Sequence, residues 1–233
     1  MLAVRLVLSA SIIIIVLIAG CTRSLVYSPS MNLPPQPLKQ KEAQVLGGVG
    51  FFPETRPHLV EHKSAFGTEG TFRLAFCDHI TLQGKYWHDL SDNLDDNRYG
   101  LSFSMIAAFA DSTSLRFGLI PTAAFASGNG DFQGGGGGMF LALWYSGFSP
   151  ITIYGTLGPA FGIRVTDEEE SKWGWGLLIN TGIAALIKKH LTINVELAGI
   201  KQENKYDHKT EYFLCPSINI GYLFTEVKKK PRE

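Results

Sequence analysis

The sequence carries no excess of charge of either sign: 21 Lys and Arg balance 21 Asp and Glu. Nucleic-acid binders are normally marked by a basic excess, so nucleic acid is not an expected partner. Charged residues of both signs make up only 18% of the chain. Cysteine is scarce, with Cys21, Cys77 and Cys215 the only three. Long amphipathic helical patterns are missing after residue 42, which argues against a helical bundle. No local Ser-His-Asp grouping marks a hydrolase, so no enzyme activity, cofactor or metal is expected. What the sequence has in quantity is glycine, 25 residues, and aromatics, 12%. Together they suit β-structure.

The one long hydrophobic run lies at the start. Arg5 is the only basic residue among the first ten, and an apolar stretch then continues through Ile12, Ile15 and Ile18. A short positive region before an apolar core is the pattern of an export signal. The run closes in Ile18-Ala19-Gly20-Cys21. That tetrapeptide resembles the lipobox of bacterial lipoproteins. The resemblance implies that residues 1–20 are a signal peptide, with Ile18, Ala19 and Gly20 read by the signal peptidase. It also implies that Cys21 is the lipid-modified N-terminus. Several acyl chains would anchor the protein to membrane lipid strongly, at about 0.8 kcal/mol per buried methylene. Thr22 stands where an Asp would signal retention in the inner membrane, so the resemblance implies the outer membrane. From Thr22 to about Lys41 four prolines, Pro29, Pro34, Pro35 and Pro37, are interspersed with polar residues. Residues 21–42 are therefore expected to be a flexible tether with no folded core.

From residue 43 the recurrent pattern is alternation. Tyr99, Leu101, Phe103, Met105 and Phe109 interleave with Gly100, Ser102 and Ser104. Leu191, Ile193, Val195 and Leu197 interleave with Thr192, Asn194 and Glu196. Period-two alternation is the strand signal. Ten segments follow it, at 43–52, 68–77, 79–90, 97–110, 113–126, 131–147, 150–166, 171–188, 190–202 and 210–224. Most reach the roughly 9–11 residues that a tilted strand needs to cross a bilayer. Residues 43–225 are thus predicted to be an all-β domain, a single antiparallel up-and-down β-barrel of about ten strands. A polar tail, 226–233, follows.

The predicted connections alternate in length. Those near Asp78, at Asp111–Ser112, at Phe148–Ser149 and near Lys189 are tight. The others, including 53–67, 91–96, 127–130, 167–170 and 203–209, are longer and polar. Bacterial outer-membrane barrels have short periplasmic turns and long outer loops. A lipid tether starting in the periplasm would place the tight turns there, together with both chain termini. Asn219-Ile220-Gly221-Tyr222-Leu223-Phe224 resembles part of the C-terminal signal of such barrels, although Glu226 stands where a second aromatic is expected. Tyr86, Trp87, Tyr99, Trp173, Trp175, Tyr212 and Phe224 are candidates for interfacial girdles.

If the apolar face meets lipid, the other face fills the lumen. Arg73, Lys85, Arg116, Arg164, Asn194 and Glu196 would then form an internal polar network, because charges in so small a space must pair or stay hydrated. Ile106, Ile120, Phe140, Trp144 and Leu178 would also point inward, either capping a packed interior or lining an apolar pocket. The five glycines at 134–138 lack the Lys-Ser/Thr of a phosphate loop and read as the close-packed start of strand six. His58 with His62, the acidic run 167–170, and Asp92 with Asp95 and Asp96 read as solvated outer loops. Cys77 and Cys215 fall at different heights on non-adjacent strands and are expected to be free thiols. The layout resembles bacterial outer-membrane β-barrel lipoproteins, which implies a structural or accessory envelope role or a narrow pore. The alternative is a soluble, lipocalin-like carrier of a small hydrophobic ligand, held at the membrane by its lipid alone.

Overall fold

The structure is a computed structural model and describes residues 28–53, 64–90, 98–109, 114–128, 131–164, 172–203 and 210–225. Ten strands follow one another: β1 Ala43–Pro53, β2 Ser64–Cys77, β3 Ile80–Asp89, β4 Arg98–Ala108 and β5 Leu115–Gly128. They continue with β6 Asp131–Phe148, β7 Ile151–Arg164, β8 Lys172–Ile187, β9 Leu191–Glu203 and β10 Thr210–Phe224. Each pairs antiparallel with its sequence neighbours, and β1 pairs with β10 to close the barrel. The expected all-β, up-and-down, ten-stranded barrel is what forms.

Closure gives every strand one face outside and one inside, and the sequence alternation decides which is which. On β6, Phe140 is fully buried while its neighbour Leu141 is 63% exposed. On β9, Val195 and Leu197 are exposed, and Asn194 and Glu196 are buried. The same inversion runs round the barrel, so large apolar side chains such as Phe72, Phe103, Phe117, Ile183 and Ile220 stand on the exterior. Small and polar side chains go inside, together with a few large apolar ones such as Phe140 and Trp144.

Two connections depart from the expected lengths. The β5–β6 link, expected as a longer outer loop over 127–130, shrinks to residues 129–130, because β5 runs on to Gly128. The β4–β5 link, expected tight at Asp111–Ser112, spans 109–114. Elsewhere the tight turns lie at one end, at 78–79, 149–150 and 188–190. The longer links 54–63, 90–97, 165–171 and 204–209 lie at the other. Among the candidate girdle aromatics, Tyr86, Trp175 and Phe224 are exposed. Trp87 is a correction: it is buried, because it shares the inward parity of Gln83 and Lys85 on β3. Its indole covers the spot where a Cβ on Gly100 would stand.

The five glycines at 134–138 lie within β6, pairing with both β5 and β7. Elsewhere a missing side chain makes room for a large one. A Cβ on Gly182 would stand 2.5 Å from the Tyr154 ring. Gly182→Val is therefore expected to lower the urea midpoint of the folded barrel by the equivalent of about 1–3 kcal/mol. Gly47→Val is the control, since a Cβ there meets nothing within 4 Å. It should leave the midpoint unchanged.

Candidate functional site

The candidate site is the lumen, and a segment expected to lie elsewhere fills part of it. Residues 28–38 were expected to be flexible tether. Instead Ser28, Pro29, Ser30, Met31, Asn32, Leu33 and Leu38 are buried inside the barrel. The physical reason lies in the prolines. A strand that joins no sheet must still satisfy its backbone groups when buried. Pro29, Pro34, Pro35 and Pro37 remove four N–H donors outright. Alternate carbonyls, those of Pro29, Met31, Leu33 and Pro35, are met by wall side chains. Asn180 Nδ2 donates to the Pro29 carbonyl at 3.5 Å, and Gln83 Nε2 to that of Met31 at 3.2 Å. Asn194 Nδ2 donates to Leu33 at 3.2 Å, and the Thr152 hydroxyl donates to Pro35. Met31 N–H donates to Glu196 Oε2 at 2.8 Å.

The segment's apolar side chains are placed as deliberately. Met31 and Leu33 join one buried cluster with Ile106, Ile120, Phe140, Trp144 and Leu178. These are the inward apolar residues that could have lined a ligand pocket. Leu38 packs lower down, with Ala75 and Leu223.

At the centre lies a buried ion pair. Lys85 Nζ is 2.8 Å from Glu69 Oε2, both side chains almost wholly buried. Such a pair offsets its desolvation only when further hydrogen bonds complete both groups. Here the segment and the wall share that task. Ser28 and Ser30 hydroxyls donate to the Glu69 carboxylate at 2.8 and 2.9 Å. Asn219 Nδ2 donates to it at 2.5 Å and Asn32 Nδ2 at 3.3 Å. Lys85 donates to the Ser30 carbonyl at 2.6 Å and hydroxyl at 2.7 Å. Asn32 adopts a positive φ of 47°, a conformation that Asn tolerates better than most residues.

A second chain of contacts runs below. Arg73 donates through Nη1 to Gln44 at 2.6 Å and through Nε to Gln83 at 2.7 Å. Gln44 in turn donates to the Thr192 hydroxyl at 2.7 Å. Glu196 accepts from the Tyr154 hydroxyl and from Asn180 Nδ2.

Of the residues assigned to the lumen from sequence, Arg73, Lys85, Asn194 and Glu196 are brought together in the interior. Arg116 lies apart from this set, opposite Trp144 near the tight-turn end. Arg164 ends β7 opposite Lys172, and its side chain is outside the described residues. The sequence reading missed Glu69, Gln44, Gln83, Tyr154, Asn180 and Asn219, and it missed the segment itself. The inward parity of those six was available as a signal. The segment's place was not, because it has no period. Ile18, Ala19, Gly20 and Cys21, with His58, His62 and the outer acidic clusters, lie outside the described residues. Cys77 and Cys215 are free thiols. Among the described residues no group of three His, Cys, Asp or Glu is placed to hold a metal ion.

No protein-family model and no curated protein matches the chain. Several solved structures are similar to it. The N-terminal β-barrel domain of Pseudomonas aeruginosa OprF is 12% identical, with 80% of this chain and 100% of that one covered and a TM-score of 0.41. Ail, the attachment invasion locus protein of Yersinia pestis, is 13% identical over 79% and 99%, with a TM-score of 0.37. The outer membrane protease OmpT of Escherichia coli is 9% identical over 78% and 94%, with a TM-score of 0.42. Similarity at this level transfers no activity and no residue role.

The central pair makes a direct prediction. Lys85→Met strands the Glu69 carboxylate in the interior and should cost about 3–5 kcal/mol. The double variant Glu69→Gln with Lys85→Met should recover much of that loss, since no buried charge is left alone. Urea midpoints of the refolded barrel measure both. If the double variant is as unstable as the sum of its single changes, the two groups are not coupled.

Proposed function

We propose that this chain is an acylated outer-membrane barrel, closed by its own N-terminal segment, with a structural or accessory role in the envelope. The observation that carries the reading is the exterior. Soluble monomers rarely expose contiguous apolar patches beyond a few hundred Å². Here outward Phe, Leu, Ile and Val side chains occur on all ten strands. An apolar exterior of this extent needs lipid or a partner to cover it, and a closed barrel leaves no sheet edge to satisfy. The strands, from 10 residues in β3 to 18 in β6, meet the required crossing length.

Lipid attachment at Cys21 belongs to the same proposal, on the strength of the Ile18-Ala19-Gly20-Cys21 motif. Orientation follows from connection length at seven of the nine connections: the end with most of the tight turns, and the C-terminal tail, face the periplasm, and the end with most of the longer links faces outward. The filled lumen favours a closed barrel over an open pore. A lipocalin-like carrier would need its apolar face inside and a vacant pocket. The inward apolar cluster is instead occupied by Met31 and Leu33.

Three measurements test the reading. With Cys21→Ala and a non-lipoprotein signal peptide, the protein should resist carbonate extraction and keep heat-modifiable gel migration. Recovery as a folded periplasmic protein would refute the spanning barrel. Leu141→Arg, near the middle of the exterior, should destabilise the barrel in lipid vesicles by about 2–4 kcal/mol, and Leu191→Arg near the rim by about 0–1 kcal/mol. In planar bilayers the intact chain should not conduct, whereas a chain truncated to begin at Lys39 should. Steady conductance of the intact chain would show that the segment does not close the lumen.

A further inference from the structure

The buried segment has a direction. Leu38 packs near the tight-turn end, beside Ala75 and Leu223. Pro35 meets Thr152, one residue into β7 from that end. Leu33 meets Asn194, three residues into β9. Met31 meets Glu196, two residues higher on the same strand. Pro29 meets Asn180, seven residues up β8 from Ile187. Read backwards from Leu38, the chain climbs the lumen steadily and reaches mid-height at Ser28.

The lower lumen already holds the segment together with the fully buried side chains of Trp144, Arg73, Leu46 and Gln44. A second strand of polypeptide would have to displace them. Above Ser28 the wall changes character. Among the described residues there, Gly67, Ala124, Gly136, Ala160 and Gly176 are small and buried. Trp87, Leu178 and Ile200 are the bulky side chains among the described residues of that part of the wall.

The distances agree. From Lys85, which binds Ser28, β3 runs on four residues to Asp89, and from Asn180 β8 reaches back eight residues to Lys172. For tilted strands that is roughly 10–20 Å along the barrel axis. The seven residues from Cys21 to Ser28 span up to roughly 23 Å when extended.

We propose that the N-terminal segment runs the whole length of the lumen, so that acylated Cys21 emerges at the loop-bearing end and anchors in the outer leaflet. This rests on the lipoprotein and membrane-spanning reading above. It replaces the periplasmic N-terminus that a free tether would give. The acyl chains need not pass through a finished bore, because the sheet can close around the segment when β1 pairs with β10.

The test places single cysteines in a chain carrying Cys77→Ser and Cys215→Ser, and treats intact cells with a membrane-impermeant maleimide. Ser24→Cys should be labelled as fully as the outer-loop control Asp95→Cys. The tight-turn control Lys189→Cys should be labelled only after the outer membrane is permeabilised. If Ser24→Cys follows Lys189→Cys, or is labelled in neither state, the threaded path is overturned. If Asp95→Cys is silent on intact cells, the spanning orientation fails and the threaded path with it. Incorporation of labelled palmitate into the parent chain, and its loss in Cys21→Ala, tests the lipid separately. Without incorporation the outer-leaflet anchor is overturned, whatever path Ser24→Cys reports.

Discussion

Closure of the sheet by β1 against β10 is the constraint from which the rest follows. Once the barrel is shut, no strand has a free edge, and every side chain must face either outward or into one enclosed space. The alternation of large apolar and small or polar residues then has a single consistent solution. Phe140 and Leu141, adjacent in sequence, end at opposite extremes of exposure. Reversing the two faces would turn the Glu69–Lys85 pair and the polar face around it outward. It would also crowd bulky aliphatic side chains into the bore.

Enclosure creates a second problem. Barrel diameter grows with strand number, and about eight strands enclose a space that side chains alone just fill. Ten leave a wider bore. Small inward wall residues such as Ala160 and Ala184 add to that width. The proline-bearing segment fills the lower part, and its composition suits that place. A stretch short of N–H donors can be buried without a sheet partner, provided the wall offers donors to its carbonyls. Gln83, Asn180, Asn194 and Thr152 do so. The ion pair joins plug and wall, because Ser28 and Ser30 complete the hydrogen bonding of both Glu69 and Lys85. Segment and wall therefore depend on each other: removing either exposes a buried charge.

Much of the fold was legible from the chain. The strand boundaries follow the alternation closely, as in β10, where 210–224 was expected and Thr210–Phe224 forms. Of the site, Arg73, Lys85, Asn194 and Glu196 were legible as inward residues because parity alone assigns a face. Their partners were harder to find. Parity puts Glu69 inside, but nothing in the spacing says that Lys85, Asn219 and Ser28 converge on it. The prolines of residues 29–37 read equally well as a solvated tether. Trp87 was misplaced because an aromatic near a strand end suits both an interface and a bore.

The sequence by itself determined the periodicity, and with it the number of strands, their approximate limits and which face of each is apolar. These are local properties, set by side-chain direction along an extended backbone. The tertiary structure alone decided where the N-terminal segment goes and which buried polar groups meet. Both depend on contacts between residues as far apart as Met31 and Glu196. Such contacts exist only after the barrel has closed, when a carbonyl cut off from water must find a donor within reach.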